Sequence, residues 1–341
     1  MSPEPAPRPR ASLKLGVVLA GILGLALATA VIGYFGIGGV LKALEAIGWH
    51  SFVALCAYTL LPILILGSAW FVLTGQPPAR FGVFVWARMV RDAASEHLPF
   101  SQFGGFVIGA RAAILQGVSA TQAFSTTVVD ATTELIAQIG FIGLGVGVLA
   151  VRLRGQSAHS NLLWIGLVGV GLCAVGAAAF IVLQRNSSGV IEKLAARFLP
   201  GSVAQASAVA QAMNALYEQP ARIAAAVALH FTAWIASATG CWIALRLTGV
   251  DLGLLDVLAI ESLLGAVRSA AFAAPMAIGV QEAGYALVGP LFGLNADMAL
   301  ALSLLKRARD LAIGLPALLV WQGFEARKLI GGAVEDAKGK P

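Results

Sequence analysis

A long uncharged stretch near the start of the chain sets the first limit on its fold. No charged residue occurs between Lys14 and Lys42, a run of 27 residues, and about 20 apolar residues are enough for a helix to cross a bilayer. Only 12% of the 341 residues are charged, whereas soluble domains carry about 25%. A water-soluble fold would have too few polar groups to cover this much apolar surface. The sequence therefore predicts an all-α polytopic membrane protein.

Further apolar runs divide the chain into spans. We expect a disordered, proline-rich cytoplasmic segment over residues 1–12, a single transmembrane domain over 13–330 and a polar cytoplasmic tail over 331–341. Within the transmembrane domain six runs are long enough for a full membrane-spanning helix. They are residues 13–33, 47–73, 119–151, 161–183, 223–243 and 296–324.

Two further apolar regions, 80–116 and 252–293, contain no clean run of this length. Each is interrupted near its middle by a proline and glycines, namely Pro99, Gly104 and Gly105 in the first region and Pro275 and Gly279 in the second. Such breaks are typical of a re-entrant hairpin, and irregular backbone survives at membrane depth only where protein or a water-filled cavity covers it. We therefore predict six full spans plus two broken re-entrant helical hairpins.

The two broken regions align with each other at one offset. Pro99 matches Pro275 and Gly117 matches Gly293, both 176 residues apart. In each region the order is the same: an apolar span, a broken hairpin, a glycine and a helix with buried charge. An odd number of crossings between the units inverts the second one, as in many secondary transporters. The sequence thus predicts an inverted repeat over about 47–151 and 223–324.

Lysine and arginine residues are unevenly divided between the two sides of this topology. Fifteen fall in the segments on the side of the N-terminus and five on the other side, so the positive-inside rule places both termini in the cytoplasm. The cytoplasmic set includes Arg80, Arg88, Arg91 and Arg111, and the outer set includes Arg268. Because these residues are spread between apolar runs, we interpret them as topology determinants and expect no nucleic-acid partner.

Ionisable residues inside predicted spans are the first candidates for function, because each costs about 2.5–3.5 kcal/mol at a helix centre. Asp130 and Glu134 lie four residues apart, on one face of the third span. The offset superimposes Lys306 on Asp130, so we expect these opposite charges to pair across the repeats. A purely structural network, contact with an anionic lipid headgroup or proton uptake, and a position at the interface all stay open. The members of this intramembrane charge cluster are Asp130, Glu134, Lys306, Arg307, Arg309 and Asp310.

Polar residues around the two breaks form a second candidate site. Half-helices that begin after Pro99 and Pro275 would direct backbone N–H groups and a positive dipole end inward, which suits a phosphate or carboxylate headgroup. The alternative is that proline and glycine only let helices pack closely. The predicted lipid or headgroup path comprises Glu96, His97, Pro99, Gln102, Gly104, Gly105, Arg111, Pro275, Gly279, Gln281 and Glu282, with Glu261 and Arg268 nearby.

Catalytic chemistry has little support in the sequence. The four histidines, His50, His97, His159 and His230, are isolated from one another, and no pair has the spacing of metal ligands. No nucleophile elbow or phosphate-binding loop motif is present. We therefore expect no enzyme activity, no metal and no cofactor.

In these motifs the chain resembles the flippase-like transmembrane family typified by the membrane half of lysylphosphatidylglycerol synthase. The resemblance covers residues 13–330, and the segment from Glu96 to Gly105 is most similar to the hopanoid-biosynthesis-associated subgroup called HpnL. It is carried by Leu98-Pro99, Gly104-Gly105, Arg111, Gly117-Val118, the acidic face of the third span, and Pro275 with Gly279-Val280-Gln281-Glu282.

This resemblance implies a bacterial inner-membrane lipid translocator that moves a hopanoid or another amphiphilic lipid between leaflets. Membrane lipids would be its partners, together with proteins of lipid or hopanoid biosynthesis. Since only a short polar tail follows the last span, we expect no lysyltransferase domain and do not carry over lipid lysylation. The alternative is a non-catalytic membrane partner or an intramembrane enzyme of lipid or hopanoid biosynthesis.

Overall fold

The computed structural model describes residues 48–97, 101–153, 170–171, 174–179, 181–182, 203–270 and 280–338. Within these ranges all regular secondary structure is helical. A helix satisfies its backbone N–H and C=O groups internally, which a chain in a bilayer requires because no water is there to replace those bonds. The prediction of an all-α polytopic membrane protein is confirmed.

The first described unit is a long helix, a helical hairpin and a second long helix. Ser119 caps the second long helix, since its side chain accepts a hydrogen bond from the backbone N–H of Gln122. The elements are α1 (Trp49–Thr74), a 3-10 turn (Pro78–Arg80), α2 (Phe81–His97), α3 (Ser101–Leu115) and α4 (Ala120–Arg152).

The second unit repeats this order after the helix α5 (Val203–Tyr217). Gly293 has a φ of 88° and Gly117 a φ of 86°, and both glycines end a hairpin in the left-handed region where a side chain would be strained. The predicted match of these two glycines thus has a common backbone cause. The elements are α5 (Val203–Tyr217), α6 (Pro220–Leu247), α7 (Leu254–Ala270), α8 (Val280–Val288), a 3-10 turn (Gly289–Phe292) and α9 (Ala296–Lys338).

Three of the predicted spans correspond to helices that are long and apolar enough to cross a membrane, namely α1, α4 and α6. The span predicted over 296–324 is the first part of α9, where charged residues interrupt the apolar sequence; this helix also continues through 331–338. The span predicted over 13–33, and most of that over 161–183, lie outside the described residues. The number of spans stays a prediction.

In each hairpin the two helices pack against each other. In the first, the Arg80 side chain donates to the backbone carbonyl of Gln116 at 2.8 Å, and the Arg91 guanidinium lies 4.3 Å from the centre of the Phe106 ring. In the second, a Cβ on Gly284 would lie 2.3 Å from the Leu264 side chain, so α7 and α8 touch closely. Residues 98–100 and 271–279, with Pro99, Pro275 and Gly279, lie outside the described residues.

The helices α1 and α6 lie side by side and run antiparallel. Tyr58, early in α1, donates to the carbonyl of Ala236, late in α6, at 3.0 Å, whereas Leu73 at the end of α1 packs with Ala226 near the start of α6. Since one hairpin follows the end of α1 and the other follows the end of α6, the two hairpins open at opposite ends of this helix pair.

The hairpins also exchange partners between the units. Helix α2 of the first hairpin packs against α9, and α7 of the second packs against α4. A Cβ on Gly314 of α9 would lie 2.6 Å from the His97 ring, and one on Gly145 of α4 would lie 1.7 Å from the Ser262 hydroxyl. Reciprocal packing of this kind is what an inverted repeat requires, although the inverted repeat itself stays a prediction.

Adjacent glycines in α3 allow a direct test of the hairpin packing. A Cβ on Gly105 would lie 1.9 Å from the Ser95 hydroxyl and 3.0 Å from the Arg91 carbonyl oxygen, whereas one on Gly104 would have no neighbour within 4 Å. We expect Gly105→Ala to destabilise the protein by about 1–3 kcal/mol through overpacking. Gly104→Ala should be neutral or stabilising by up to about 1 kcal/mol, because alanine favours a helix. Thermal unfolding in detergent measures both, and equal shifts of Tm would contradict the packing.

Candidate functional site

Six ionisable side chains from three helices meet beside the first hairpin, and we call them the first charge cluster. Helix α2 presents three of them from one face, because residues three and four apart are neighbours on a helix, and α4 presents two for the same reason. Helix α6 adds a histidine. The members are Arg88, Arg91 and Asp92 from α2, Asp130 and Glu134 from α4, and His230 from α6.

The two arginines hold the two carboxylates of α4 jointly. Arg88 donates to Glu134 at 2.6 Å and to Asp130 at 3.1 Å, while its Nε donates to Asp92 at 3.0 Å. Arg91 donates to Glu134 at 2.7 Å and also to Asp130. Such charge-assisted bonds are about twice as strong as neutral ones, so they attach the hairpin helix α2 firmly to α4.

Burial makes this pairing obligatory. Arg88 and Arg91 are each only 3% exposed, and Asp130 and His230 are fully buried. The Nε2 atom of His230 lies 3.0 Å from Asp130 Oδ1. Removing one partner from a buried ion pair leaves an uncompensated charge that costs about 3–5 kcal/mol.

A second charge cluster lies beside the second hairpin, on α7, α8 and α9. Lys306 Nζ donates to Glu261 at 2.7 Å and to the Tyr285 hydroxyl at 2.9 Å, and Tyr285 in turn donates to Glu261. Nearby, Arg307 donates to Glu282 at 2.8 Å. The remaining charges of this cluster are the neighbours Arg309 and Asp310, which pair at 2.8 Å.

The two clusters lie at equivalent depth along the long helices that carry them. Asp130 is ten residues after the start of α4 and Lys306 is ten residues after the start of α9. At 1.5 Å per residue each lies about 15 Å along its helix, which is half the thickness of the hydrocarbon core of a bilayer.

Among the described residues, an ion pair joins the last turns of α2 and α7, and so connects the two hairpins. Arg268, two residues before the end of α7, donates to Glu96, one residue before the end of α2, at 2.6 Å. The Glu96 side chain is 41% exposed and that of Arg268 is 29% exposed. Beside this contact Gln138 of α4 donates to Ser269 at 2.8 Å. This half-exposed polar contact between the hairpins contrasts with the two buried clusters.

An apolar cavity of about 780 Å³ lies between α4, α5 and α6. Tyr217 closes part of it, and its hydroxyl donates to Thr132 at 3.2 Å. The rest of the lining is apolar and includes one glycine and one proline. These residues are Ile136, Ala137, Gly140, Pro220, Ile223, Ala224, Val227, Ala228 and Phe231. This apolar lining suits a hydrocarbon chain.

The expected pairing of Asp130 with Lys306 across the repeats is wrong. Asp130 is bound by Arg88, Arg91 and His230, and Lys306 binds Glu261. Within the two charge clusters each long helix therefore pairs with the hairpin of its own unit, whereas the ion pairs Arg111–Glu325 and Arg152–Asp256 join each long helix to the hairpin of the other unit. The matching offset correctly aligned the depth of these residues but carried no information about the direction in which they point.

Two arginines that we assigned to cytoplasmic loops are placed differently, because Arg88 and Arg91 lie in the buried first charge cluster. Arg111, assigned to the same side, donates to Glu325 of α9 at 2.6 Å, a contact that does not contradict its assignment. Arg268, assigned to an outer segment, binds Glu96. Without these residues the predicted cytoplasmic side still has more lysine and arginine residues than the outer side.

The other predicted path residues are divided among several contacts. His97 is buried, with Nδ1 2.8 Å from the Ala93 carbonyl oxygen. Gln281 donates to the Ser303 hydroxyl at 2.8 Å, so it joins Glu282 at the second cluster. Gly105 contacts α2 closely and Gly104 has open space beside it. Of Gln102 only the backbone, in the first turn of α3, is described.

Sequence reasoning missed several members of the clusters. His230 lies within the predicted span 223–243, so the argument that selected Asp130, an ionisable group at membrane depth, applied equally to it. Arg88, Arg91 and Asp92 carried a signal too, since their spacing places them on one face of an otherwise apolar helix. For Tyr285 no signal in the sequence pointed to its contact with Glu261.

Comparison with known proteins gives one match. A family model described as the lysylphosphatidylglycerol synthase TM region matches residues 21–317. No curated protein and no solved structure shows a significant match to the chain.

The observed pairing makes a prediction for double-mutant cycles. We expect Asp130→Asn and Arg91→Gln each to destabilise the protein strongly, and the double variant to lose less than their sum by about 0.5–3 kcal/mol, because the two side chains share a bond. Asp130→Asn combined with Lys306→Gln should be additive, since these residues share no partner. The free energy of unfolding in detergent measures both cycles. Coupling between Asp130 and Lys306, or none between Asp130 and Arg91, would refute the pairing.

Proposed function

The chain belongs to the family described as the lysylphosphatidylglycerol synthase TM region, and on that premise we propose that it moves an amphiphilic lipid between the two leaflets of a membrane. Membership of this family supports a lipid-related function at the membrane. The proposal adds the process, translocation, and a route for the lipid headgroup along the two hairpins.

The observation that carries the proposal is the contact of the two hairpins through Glu96 and Arg268. The hairpins open at opposite ends of the α1–α6 pair, so a headgroup that follows one hairpin inward from one leaflet reaches the start of the route to the other. Both side chains of the ion pair are partly exposed, unlike Arg88, Arg91, Asp130 and His230 of the first charge cluster. Ionisable residues within a membrane domain that face its interior or a water-filled cavity are candidates for a substrate pathway.

The chemistry of this contact suits a headgroup with a negative charge. A guanidinium group can bind phosphate or carboxylate through two parallel hydrogen bonds, and Arg268 already donates one hydrogen bond to the carboxylate of Glu96. A passing phosphate would take the place of the Glu96 carboxylate on Arg268. Glu96 then acts as an internal competitor that closes the route when no lipid is present.

The lipid tails have a separate, apolar environment. The cavity between α4, α5 and α6 is lined by aliphatic and aromatic side chains, and it adjoins the helix that carries Asp130 and Glu134. A hydrocarbon tail in this cavity would stay in apolar surroundings while its headgroup moves along the polar side of the hairpins.

We further propose a hopanoid or a related amphiphile as the natural substrate, on the basis of the segment from Glu96 to Gly105. The bacterial plasma membrane is the proposed location, with both termini in the cytoplasm, as the distribution of lysine and arginine favours. Membrane lipids are the proposed partners, and no catalytic step is part of the proposal.

Reconstitution tests translocation directly. Purified protein in vesicles that contain acyl-labelled fluorescent phosphatidylglycerol or a fluorescent hopanoid analogue is treated with a membrane-impermeant quencher. We expect the fraction of label accessible to the quencher to rise above that of protein-free vesicles for at least one lipid. If, for both lipids, the fraction of label accessible to the quencher equals that in protein-free vesicles, the proposal is overturned.

Variants of the hairpin contact should have opposite effects on the rate. We expect Arg268→Gln to slow translocation roughly tenfold, a barrier change of about 1.4 kcal/mol, because the headgroup loses its cationic partner. Glu96→Gln should speed translocation, since the competitor is weakened. Arg246→Gln is the matched control, because Arg246 pairs with Asp251 in a contact where both side chains are exposed. Three rates equal to that of the unmodified protein would exclude a role for the hairpin contact.

A further inference from the structure

Two ion pairs outside the charge clusters join the two units, and we call them the end pairs. In the first end pair, Arg111 of α3 is bound to Glu325 of α9. In the second, Arg152 at the end of α4 is bound to Asp256 of α7. In both pairs the Nε and Nη2 atoms of the arginine donate to the carboxylate. The protein therefore holds one edge of each guanidinium group in a fixed direction.

The other edge of these two guanidinium groups is open. A guanidinium group has five N–H donors in a planar fork, and Nη1 of Arg111 and of Arg152 donates to none of the described residues. The two side chains are 39% and 55% exposed. Arg88, in contrast, is buried and uses all three of its side-chain nitrogens in the first charge cluster. The arginines of the end pairs thus present donors that the fold itself does not use.

The end pairs lie at opposite faces of the membrane domain. Arg111 is four residues before the end of α3, at the open end of the first hairpin. Asp256 is in the first turn of α7, at the open end of the second hairpin. Since the two hairpins open at opposite ends of the α1–α6 pair, one end pair faces each leaflet.

A tryptophan side chain lies beside each end pair. Trp86 packs against Phe324, which precedes the carboxylate residue of the first end pair, with 6.1 Å between the ring centres. Trp242 donates to the carbonyl of Leu252, four residues before the carboxylate residue of the second end pair. Tryptophan is enriched where a membrane meets water, at the level of the lipid headgroups. The end pairs are therefore at the depth at which a headgroup enters the protein.

Arg268, in the contact between the hairpins, lies between the two end pairs. On α7 it is twelve residues from Asp256, which corresponds to about 18 Å. Arg111 is ten residues from the start of α3, or about 15 Å from the end of the hairpin that carries Glu96. Together these lengths are close to the thickness of the hydrocarbon core of a bilayer, about 30 Å. Three partly exposed guanidinium groups are thus distributed from one face to the other.

From this arrangement we propose that Arg111 and Arg152 are binding sites at the two membrane faces for a lipid headgroup that carries a phosphate or carboxylate, a role that rests on the proposed function. The free edge of the guanidinium group binds two oxygen atoms of the headgroup in parallel. Glu325 or Asp256 keeps the plane of that group in place, so little side-chain freedom is lost on binding. The lipid enters at one arginine, passes Arg268 and leaves at the other.

Lipid binding to the purified protein in detergent tests these sites without any measurement of transport. Phosphatidylglycerol is titrated, and native mass spectrometry counts the lipids that are bound. We expect Arg111→Gln and Arg152→Gln each to weaken binding at one site about tenfold, or about 1.4 kcal/mol. The two effects should add in the double variant, because the sites are far apart.

Exposed arginines near the same ends of the domain provide matched controls. Arg327→Gln removes the same charge two residues after Glu325, and Arg246→Gln removes it from an exposed pair near the second hairpin. Both control variants should bind phosphatidylglycerol as the unmodified protein does. If Arg111→Gln and Arg152→Gln bind it equally well, the proposal is overturned.

Lysine variants separate recognition of the headgroup from stability of the fold. Arg111→Lys and Arg152→Lys keep a positive charge beside the carboxylate but cannot form two parallel hydrogen bonds with a second group. We expect them to keep the Tm of the unmodified protein and to bind phosphatidylglycerol more weakly. Binding as tight as that of the unmodified protein would contradict recognition by the guanidinium edge.

Inorganic phosphate identifies the source of the oxyanion. It offers the same oxygen atoms as the headgroup but has no hydrocarbon tails, so we expect it to bind far more weakly than phosphatidylglycerol. If inorganic phosphate binds as tightly as the lipid, the sites belong to a soluble anion and the proposal is overturned.

The vesicle measurement distinguishes failure of this proposal from failure of the proposed function. If the unmodified protein moves no lipid, the proposed function is wrong, and the binding data still decide whether Arg111 and Arg152 hold a headgroup. If it does move lipid, we expect both glutamine variants to slow movement in both directions, because a reversible route must leave the equilibrium distribution unchanged. Rates equal to those of the control variants would refute the two sites while translocation stands.

Discussion

Placing charge in a medium of low dielectric constant is the constraint on which the rest of this structure depends. An ion removed from water without a partner costs far more than a folded protein can spare, so each buried charge must find its opposite. Arg88 and Arg91 do so with Asp130 and Glu134, and Lys306 does so with Glu261. These pairs determine which helices each hairpin can contact, because both partners must be brought within about 3 Å of each other.

The glycines complement these ion pairs. Hydrocarbon tails provide no hydrophobic drive for helices to associate, so close backbone approach at small residues becomes the main source of contact energy. Gly105 lets α3 reach α2, and Gly145 lets α4 reach α7. Close packing excludes lipid around the buried clusters and leaves the contact between Glu96 and Arg268 partly accessible. A firmly held frame around a few accessible polar groups is the arrangement that a route for a headgroup requires.

Much of this arrangement was predictable from local features of the sequence. The ends of α1 and α4 lie within two residues of the predicted spans, and the breaks near Gly104 and Gln281 coincide with helical hairpins. The failures have one cause. The offset of 176 residues matched Asp130 with Lys306 in depth, yet pairing also depends on the rotation of each helix about its axis and on which neighbour it meets. The assignment of Arg88 and Arg91 to loops was wrong for the same reason, since they are ordinary basic residues until a facing carboxylate identifies them.

The sequence by itself determined that the chain lies in a membrane as helices, that two of its regions fold back as hairpins, and that Asp130 and Glu134 share one helix face. Hydropathy and helical periodicity are properties of neighbouring residues, and they need no knowledge of the fold. Only the tertiary structure decided the partners of each charge, the place of His230 beside Asp130, and the contact of the two hairpins through Glu96 and Arg268. The last two contacts join residues 100 and 172 positions apart, and they arise only when the helices pack at particular angles and registers.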